Sequence, residues 1–75
     1  MILEIDYGNT RLKWRLLDSR TLECVTRGVV KELRELVPSL QGTKCIGLKF
    51  CRVCSVRSRA DNDSLTSLIS EAYGV

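Results

Sequence analysis

Residues 2 to 17 hold the strongest constraint on this chain, because two runs that alternate apolar and polar residues are joined there by a very short turn. In the first run Leu3 and Ile5 share one face, while Ile2, Glu4 and Asp6 share the other. Tyr7-Gly8-Asn9-Thr10 follows, and Gly-Asn between two strand-like runs marks a hairpin. Residues 11 to 17 then set Leu12, Trp14 and Leu16 on one side and Arg11, Lys13 and Arg15 on the other. A period of two with one apolar and one cationic face predicts a half-buried antiparallel strand.

The rest of the chain adds to this hairpin. Asp18-Ser19-Arg20 supplies the next turn, and residues 22 to 26 give a weaker strand signal in which Leu22, Cys24 and Thr26 alternate with Glu23 and Val25. Gly28 breaks the pattern and the period lengthens. Val29, Val30, Leu33, Leu36 and Val37 then fall on one face of a predicted helix, with Lys31, Glu32, Arg34 and Glu35 outside and Pro38 as its stop. Residues 39 to 48 read as a loop or a short extended piece. Residues 50 to 56 form a strand apolar on both faces apart from Arg52 and Ser55, which suits a central position. Several capping residues over 58–63 precede Leu65, Leu68, Ile69, Ala72 and Tyr73 at helical spacing, and Gly74 is a C-terminal stop. The predicted fold is α/β in the order β-β-β-α-β-α, with three antiparallel strands, then a parallel one, and helices packed on the sheet. Two helices can cover only one face of four strands, so the other face or an edge needs a partner. The fold is therefore expected to continue beyond Val75.

Size and charge narrow the function. A chain of 75 residues permits one small domain, which hides only about 60% of its unfolded surface. Twelve Lys and Arg against nine Asp and Glu leave a net charge of +3, spread along the chain and not gathered in a block. The aromatic residues Tyr7, Trp14, Phe50 and Tyr73 do not interleave with a basic patch. This argues against a nucleic-acid partner and is compatible with an anionic small molecule. No apolar run approaches a membrane span, and the acidic start without a basic leader is unlike a signal peptide. A cytoplasmic protein with no membrane partner is expected. Its four cysteines should then be reduced thiols. Cys51-Arg52-Val53-Cys54 has the spacing of zinc and redox sites, but the chain has no His. Residues three apart in a strand also point to opposite faces. These thiols are expected to be small buried hydrophobes, with no metal site.

Chemistry concentrates in Asp6-Tyr7-Gly8-Asn9-Thr10-Arg11-Leu12-Lys13. A carboxylate ends the first strand and a turn of Gly, Asn and Thr follows. Gly8 can adopt positive φ and lets a ligand approach the backbone, and successive amide N–H groups in such a turn form a concave anion site. Thr10 adds a hydroxyl donor and Asn9 an amide. A carboxylate beside phosphates makes sense when it holds a hydrated Mg²⁺ or a water network. Arg11 and Lys13 raise the local positive potential. Taken alone, Asp-x-Gly-Asn is also ordinary hairpin chemistry. Its place in the first strand of a β-β-β-α-β-α order, and its continuation through Lys13 and Trp14, favour the phosphate reading.

Strand–Asp-x-Gly-Asn-Thr–strand is similar to the first phosphate motif of the acetate and sugar kinase, actin and heat-shock ATPase superfamily. The longer run from Met1 to Trp14 resembles the opening of type III pantothenate kinases, also called the Bvg accessory factor family, and Cys51-Arg52-Val53-Cys54-Ser55-Val56-Arg57-Ser58 resembles the fourth strand of proteobacterial members. The resemblance implies a ribonuclease H-like half-domain, with residues 1–75 as the N-terminal portion of the first ribonuclease H-like (actin-like ATPase) domain and the second domain absent. It implies ATP-dependent phosphorylation of pantothenate, the first step toward coenzyme A, with Mg²⁺ and K⁺ or NH₄⁺ in a homodimer. Asp6 would then sit near the transferred phosphate and, indirectly, its Mg²⁺. Gly8, Asn9 and Thr10 would cradle phosphate oxygens, Lys13 would lie beside them, and Tyr7, Arg11 and Leu12 belong to the same ATP-binding stretch. The family's Gly-x-Asp-Arg substrate motif, catalytic aspartate and second phosphate motif are not found in these 75 residues. Asp18, Asp61 and Asp63 stand in turn or cap contexts. The chain alone is expected to be inactive. Two other readings stay open: a regulatory protein of the transcriptional accessory kind without kinase activity, and a small α/β interaction module with a merely structural hairpin.

Overall fold

A computed structural model describes residues 1–42 and 47–75. Its elements are β1 (Ile2–Tyr7), β2 (Leu12–Leu17), β3 (Cys24–Val30), a 3-10 turn (Leu33–Glu35), α1 (Leu36–Gln41), β4 (Phe50–Ser55) and α2 (Arg59–Tyr73), which is the expected β-β-β-α-β-α order. The strands form one sheet ordered β3-β2-β1-β4. β1–β2 and β2–β3 are antiparallel and β1–β4 is parallel, also as expected.

The alternation in β1 and β2 decides the layers. Leu3 lies opposite Leu16, Ile5 opposite Trp14 and Tyr7 opposite Leu12, so all six side chains share one face. All are buried, and Val30, Leu36, Leu40, Leu65 and Ile69 complete the same core. Both helices therefore lie on one side of the sheet. The other face presents Glu4, Asp6, Lys13, Arg15, Arg27 and Arg52, and among the described residues no helix covers it. Arg15 and Arg52 both reach the Glu4 carboxylate across this open face. The Arg15 hydrogen bond chiefly holds Glu4 below its ordinary pKa.

Trp14 corrects the reading of the third strand. It is the cross-strand partner of Gly28, and a Cβ on that glycine would come within 2.5 Å of the indole Cζ2. Gly28 is a slot for the ring, and the strand continues through it to Val30. The expected strand over residues 22 to 26 is displaced accordingly, with Leu22 in the preceding turn at φ 62. Asp18 organises that turn. Its Oδ1 accepts from the amides of Arg20 (2.7 Å) and Thr21 (3.3 Å), and these bonds lower its pKa.

Val29 and Val30 thus belong to β3 and not to the following helix. Pro38 does not end that helix but sits in the first turn of α1, where its missing N–H would have no helical partner in any case. α1 runs on to Gln41 and buries Leu36 and Leu40. Part of the stretch 39–48 read as a loop, and Cys45 with it, lies outside the described residues. In α2, Ser58 Oγ caps the start by accepting from the Asp61 amide at 3.2 Å, and Gly74 closes the end at φ 71. Leu65 and Ile69 are buried and Leu68 and Tyr73 pack beside them, whereas Ala72 is exposed.

β4 was expected at the centre and lies at the edge, with Phe50 48% and Val53 47% exposed. The sheet order explains this: β4 pairs with β1 on one side, and no other described strand pairs with it. Cys51 lies beside Leu3 and Cys54 beside Asp6, so the two thiols occupy opposite faces as the alternation requires. Cys51 is half-buried, which pushes its pKa up to about 11. Cys54 is exposed, not buried as expected, because it lies on the open face. No helix among the described residues is long and apolar enough to cross a membrane.

Candidate functional site

Strands β1 and β2 hand over through Gly8-Asn9-Thr10-Arg11, whose closing hydrogen bond runs from the Gly8 amide to the Arg11 carbonyl at 3.0 Å. The amides of Asn9, Thr10 and Arg11 have no protein acceptor among the described residues. A run of free main-chain donors on a turn is the basis of an anion site. Gly8 does not use the left-handed conformation; among the described glycines, Gly47 and Gly74 do. What matters at Gly8 is the missing Cβ, which would stand 3.3 Å from the Arg11 carbonyl oxygen.

Asp6 and Lys13 face one another across the hairpin mouth on the helix-free side, and both are exposed. Among the described residues neither makes an ion pair. Together with Gly8, Thr10 and Arg11 they line an open cleft of about 310 Å³. A larger depression of about 600 Å³ shares Asp6 and Lys13 and continues over the arginine-rich sheet face. The smaller cleft is the better candidate, because Thr10 and Arg11, whose amides have no protein acceptor among the described residues, line it together with the Asp6 carboxylate.

The predicted site residues separate by face. Asp6, Gly8, Thr10, Arg11 and Lys13 come together in the cleft. The side chains of Tyr7 and Leu12 are buried in the core, so these residues could offer a ligand only main-chain atoms. Asn9 is exposed at the turn and is not among the residues that line the cleft. Chemically the cleft offers main-chain amides, a hydroxyl, two cations and one free carboxylate. That donor set fits a polyphosphate with a hydrated Mg²⁺, which commonly binds through one or two carboxylates, several waters and phosphate oxygens. Asp6 is the residue that would hold the metal.

Sequence reasoning missed Arg57. Its Nη1 donates to the Asn9 carbonyl at 2.8 Å, its Nε donates to Asp61 Oδ2 at 3.0 Å, and its guanidinium lies 5.0 Å from the centroid of the Tyr7 ring. Val56 adds a main-chain bond to the Tyr7 carbonyl at 3.2 Å. The end of β4 therefore ties the end of β1 to the first turn of α2. The available signal was a basic residue between a strand and a helix cap. It becomes informative only once β4 is known to lie beside β1.

No family model matches the chain. It is 39% identical over 75 residues to a type III pantothenate kinase of Pseudomonas fluorescens strain SBW25, and 36% identical over 75 residues to one of Pseudomonas putida strain F1. It is 34% identical over 76 aligned positions to another of Azotobacter vinelandii strain DJ. Each match takes in 100% of this chain and 30% of the relative. The chain thus spans under a third of the length of the curated relatives it matches.

Proposed function

Since this chain is homologous to the N-terminal 30% of type III pantothenate kinases, we propose that it is the ATP-phosphate-binding part of such an enzyme. In this reading the whole protein phosphorylates pantothenate at the expense of ATP, and residues 1–75 form the first portion of its first ribonuclease H-like domain. The observation that carries it is the turn at Asn9, Thr10 and Arg11, whose amides, like the Asp6 carboxylate beside them, have no protein partner among the described residues, together with the Lys13 cation. Phosphoryl transfer relies on positioning and charge neutralisation, and those groups supply both. Mg²⁺ bound near Asp6 would neutralise phosphate charge. Thr10 and the amides would orient the phosphate oxygens, and Arg11 and Lys13 would attract the anion. The pantothenate site, the catalytic base, the K⁺ or NH₄⁺ requirement and the homodimer belong to the same proposal through the relatives, and no residue of this chain is assigned to them.

Two measurements test this reading. Titrating the 75-residue chain with Mg²⁺-ATP should shift the amide resonances of residues 8–13 ahead of all others. Joining residues 1–75 to the remaining part of the Pseudomonas fluorescens relative should give a hybrid that phosphorylates pantothenate. A chain whose turn ignores Mg²⁺-ATP, together with an inactive but folded hybrid, would overturn the proposal. A hybrid that binds ATP and transfers nothing would favour a binding role alone.

A further inference from the structure

We infer that Arg57 is a positioning residue of the anion site, and that it acts by fixing the orientation of the Asn9–Thr10 peptide. The inference rests on the phosphate reading of the turn. The described peptide bonds are all trans, so the carbonyl and the N–H of one peptide point in opposite directions. Arg57 holds the Asn9 carbonyl from the helix side of the sheet: its guanidinium stacks over Tyr7, whose side chain belongs to the helix-side core. The Thr10 N–H, at the other end of that peptide, is thereby directed toward the open side. Thr10 lines the cleft there with Asp6 and Lys13.

Arg57 does not line this cleft, so its influence passes through the peptide. Asp61 keeps the guanidinium in place by accepting from Nε at 3.0 Å. Asp61 is itself fixed, since its amide donates to the Ser58 cap at 3.2 Å. A charge-assisted bond in this geometry is stronger than a neutral one. Without it the peptide is free to rotate, and each phosphate bound must then order the donor itself.

The test uses the 75-residue chain labelled with ¹⁵N and titrated with Mg²⁺-ATP. In the wild type the Thr10 amide should shift strongly, and the Gly8 amide, already bonded to Arg11, should shift less. Arg57→Met keeps an apolar stem against Tyr7 and removes the donors; it should bind about tenfold more weakly with the sheet amides unchanged. Arg57→Lys retains one donor for the Asn9 carbonyl and should recover most of that loss. An Arg57→Met chain that binds as well as wild type overturns the role of Arg57, as does a wild-type titration in which Gly8 responds and Thr10 does not. That wild-type comparison keeps the inference refutable even if Arg57→Met does not fold. A wild type with no response anywhere in the turn instead overturns the phosphate reading beneath it.

Discussion

The two faces of the sheet are built from the same strands and do opposite things. On the covered face, Leu3, Ile5, Tyr7, Leu12, Trp14 and Leu16 pack beneath both helices. On the open face the intervening residues, Glu4, Asp6, Lys13 and Arg15, remain charged and reach solvent to differing degrees. Because side chains alternate along a strand, a single stretch of sequence can specify a core and an open, charged cleft independently. Substitutions on the covered face should therefore change stability, and those on the open face at the hairpin mouth should change binding. The comparison breaks if either kind of substitution produces the other effect.

The largest expected effect is that of Trp14→Ala. Trp14 is 4% exposed and its Nε1 donates to Ser39 Oγ at 3.2 Å, tying the sheet to α1. Removing a buried aromatic ring costs about 3–5 kcal/mol, against a total stability of roughly 0.05–0.15 kcal/mol per residue for a domain. Urea unfolding followed by circular dichroism should find the variant's midpoint far below that of wild type. A midpoint near that of wild type would remove the indole from the centre of the core.

Gly28→Ala comes next and sharpens the same point from the partner strand. The added methyl would overlap the Trp14 ring, and overpacking of this kind costs about 1–3 kcal/mol. Unfolding midpoints should show a loss in that range. The double variant with Trp14→Ala should show that the glycine substitution costs much less once the indole is gone. Additive losses would mean that Gly28 matters for its backbone and not for the ring.

These two residues also mark where the sequence was legible. The hairpin could be read because alternation, turn residues and charge agreed at every position from Leu3 to Leu16. α2 could be read because Ser58, the spacing of Leu65 and Ile69, and Gly74 gave a start, a face and a stop. Between them, local signals misled. Val29 and Val30 fit a helical face as well as a strand, and Gly28 resembled a break, while the deciding contact was with Trp14, on the neighbouring strand. Pro38 resembled a stop because the start of α1 was placed too early. In the candidate cleft, the grouping of Asp6, Thr10 and Lys13 was legible from their places around the turn. Arg57 was not, since its contact with Asn9 spans 48 positions and depends on the parallel β1–β4 pairing.

Asp6→Ala tests the open face. Asp6 is exposed and makes no ion pair among the described residues. Its removal should alter unfolding by no more than about 0.5 kcal/mol, the usual range for a surface site. Mg²⁺-ATP affinity, read from the amide shifts of residues 8–13, should fall by about tenfold, equivalent to roughly 1.4 kcal/mol. Loss of stability with retained affinity would reverse the assignment of Asp6 from ligand chemistry to turn structure.

The smallest effect concerns Glu4, where the open face contributes to stability. Hydrogen bonding from Arg15, with the added charge of Arg52, holds the folded pKa of Glu4 below its ordinary value of 4.5. A carboxyl group depressed by folding stabilises the native state above its unfolded pKa, and that contribution disappears as pH falls through the folded value. Wild type should therefore exceed Glu4→Gln in urea midpoint by a small, constant margin at neutral pH. The margin should narrow once the pH drops below about 4.5. Salt should shrink it as well, because the pair is partly exposed and screened by ions. A margin that instead widened in acid would mean that folding raises the Glu4 pKa, so Arg15 and Arg52 would not be what holds this carboxylate on the open face.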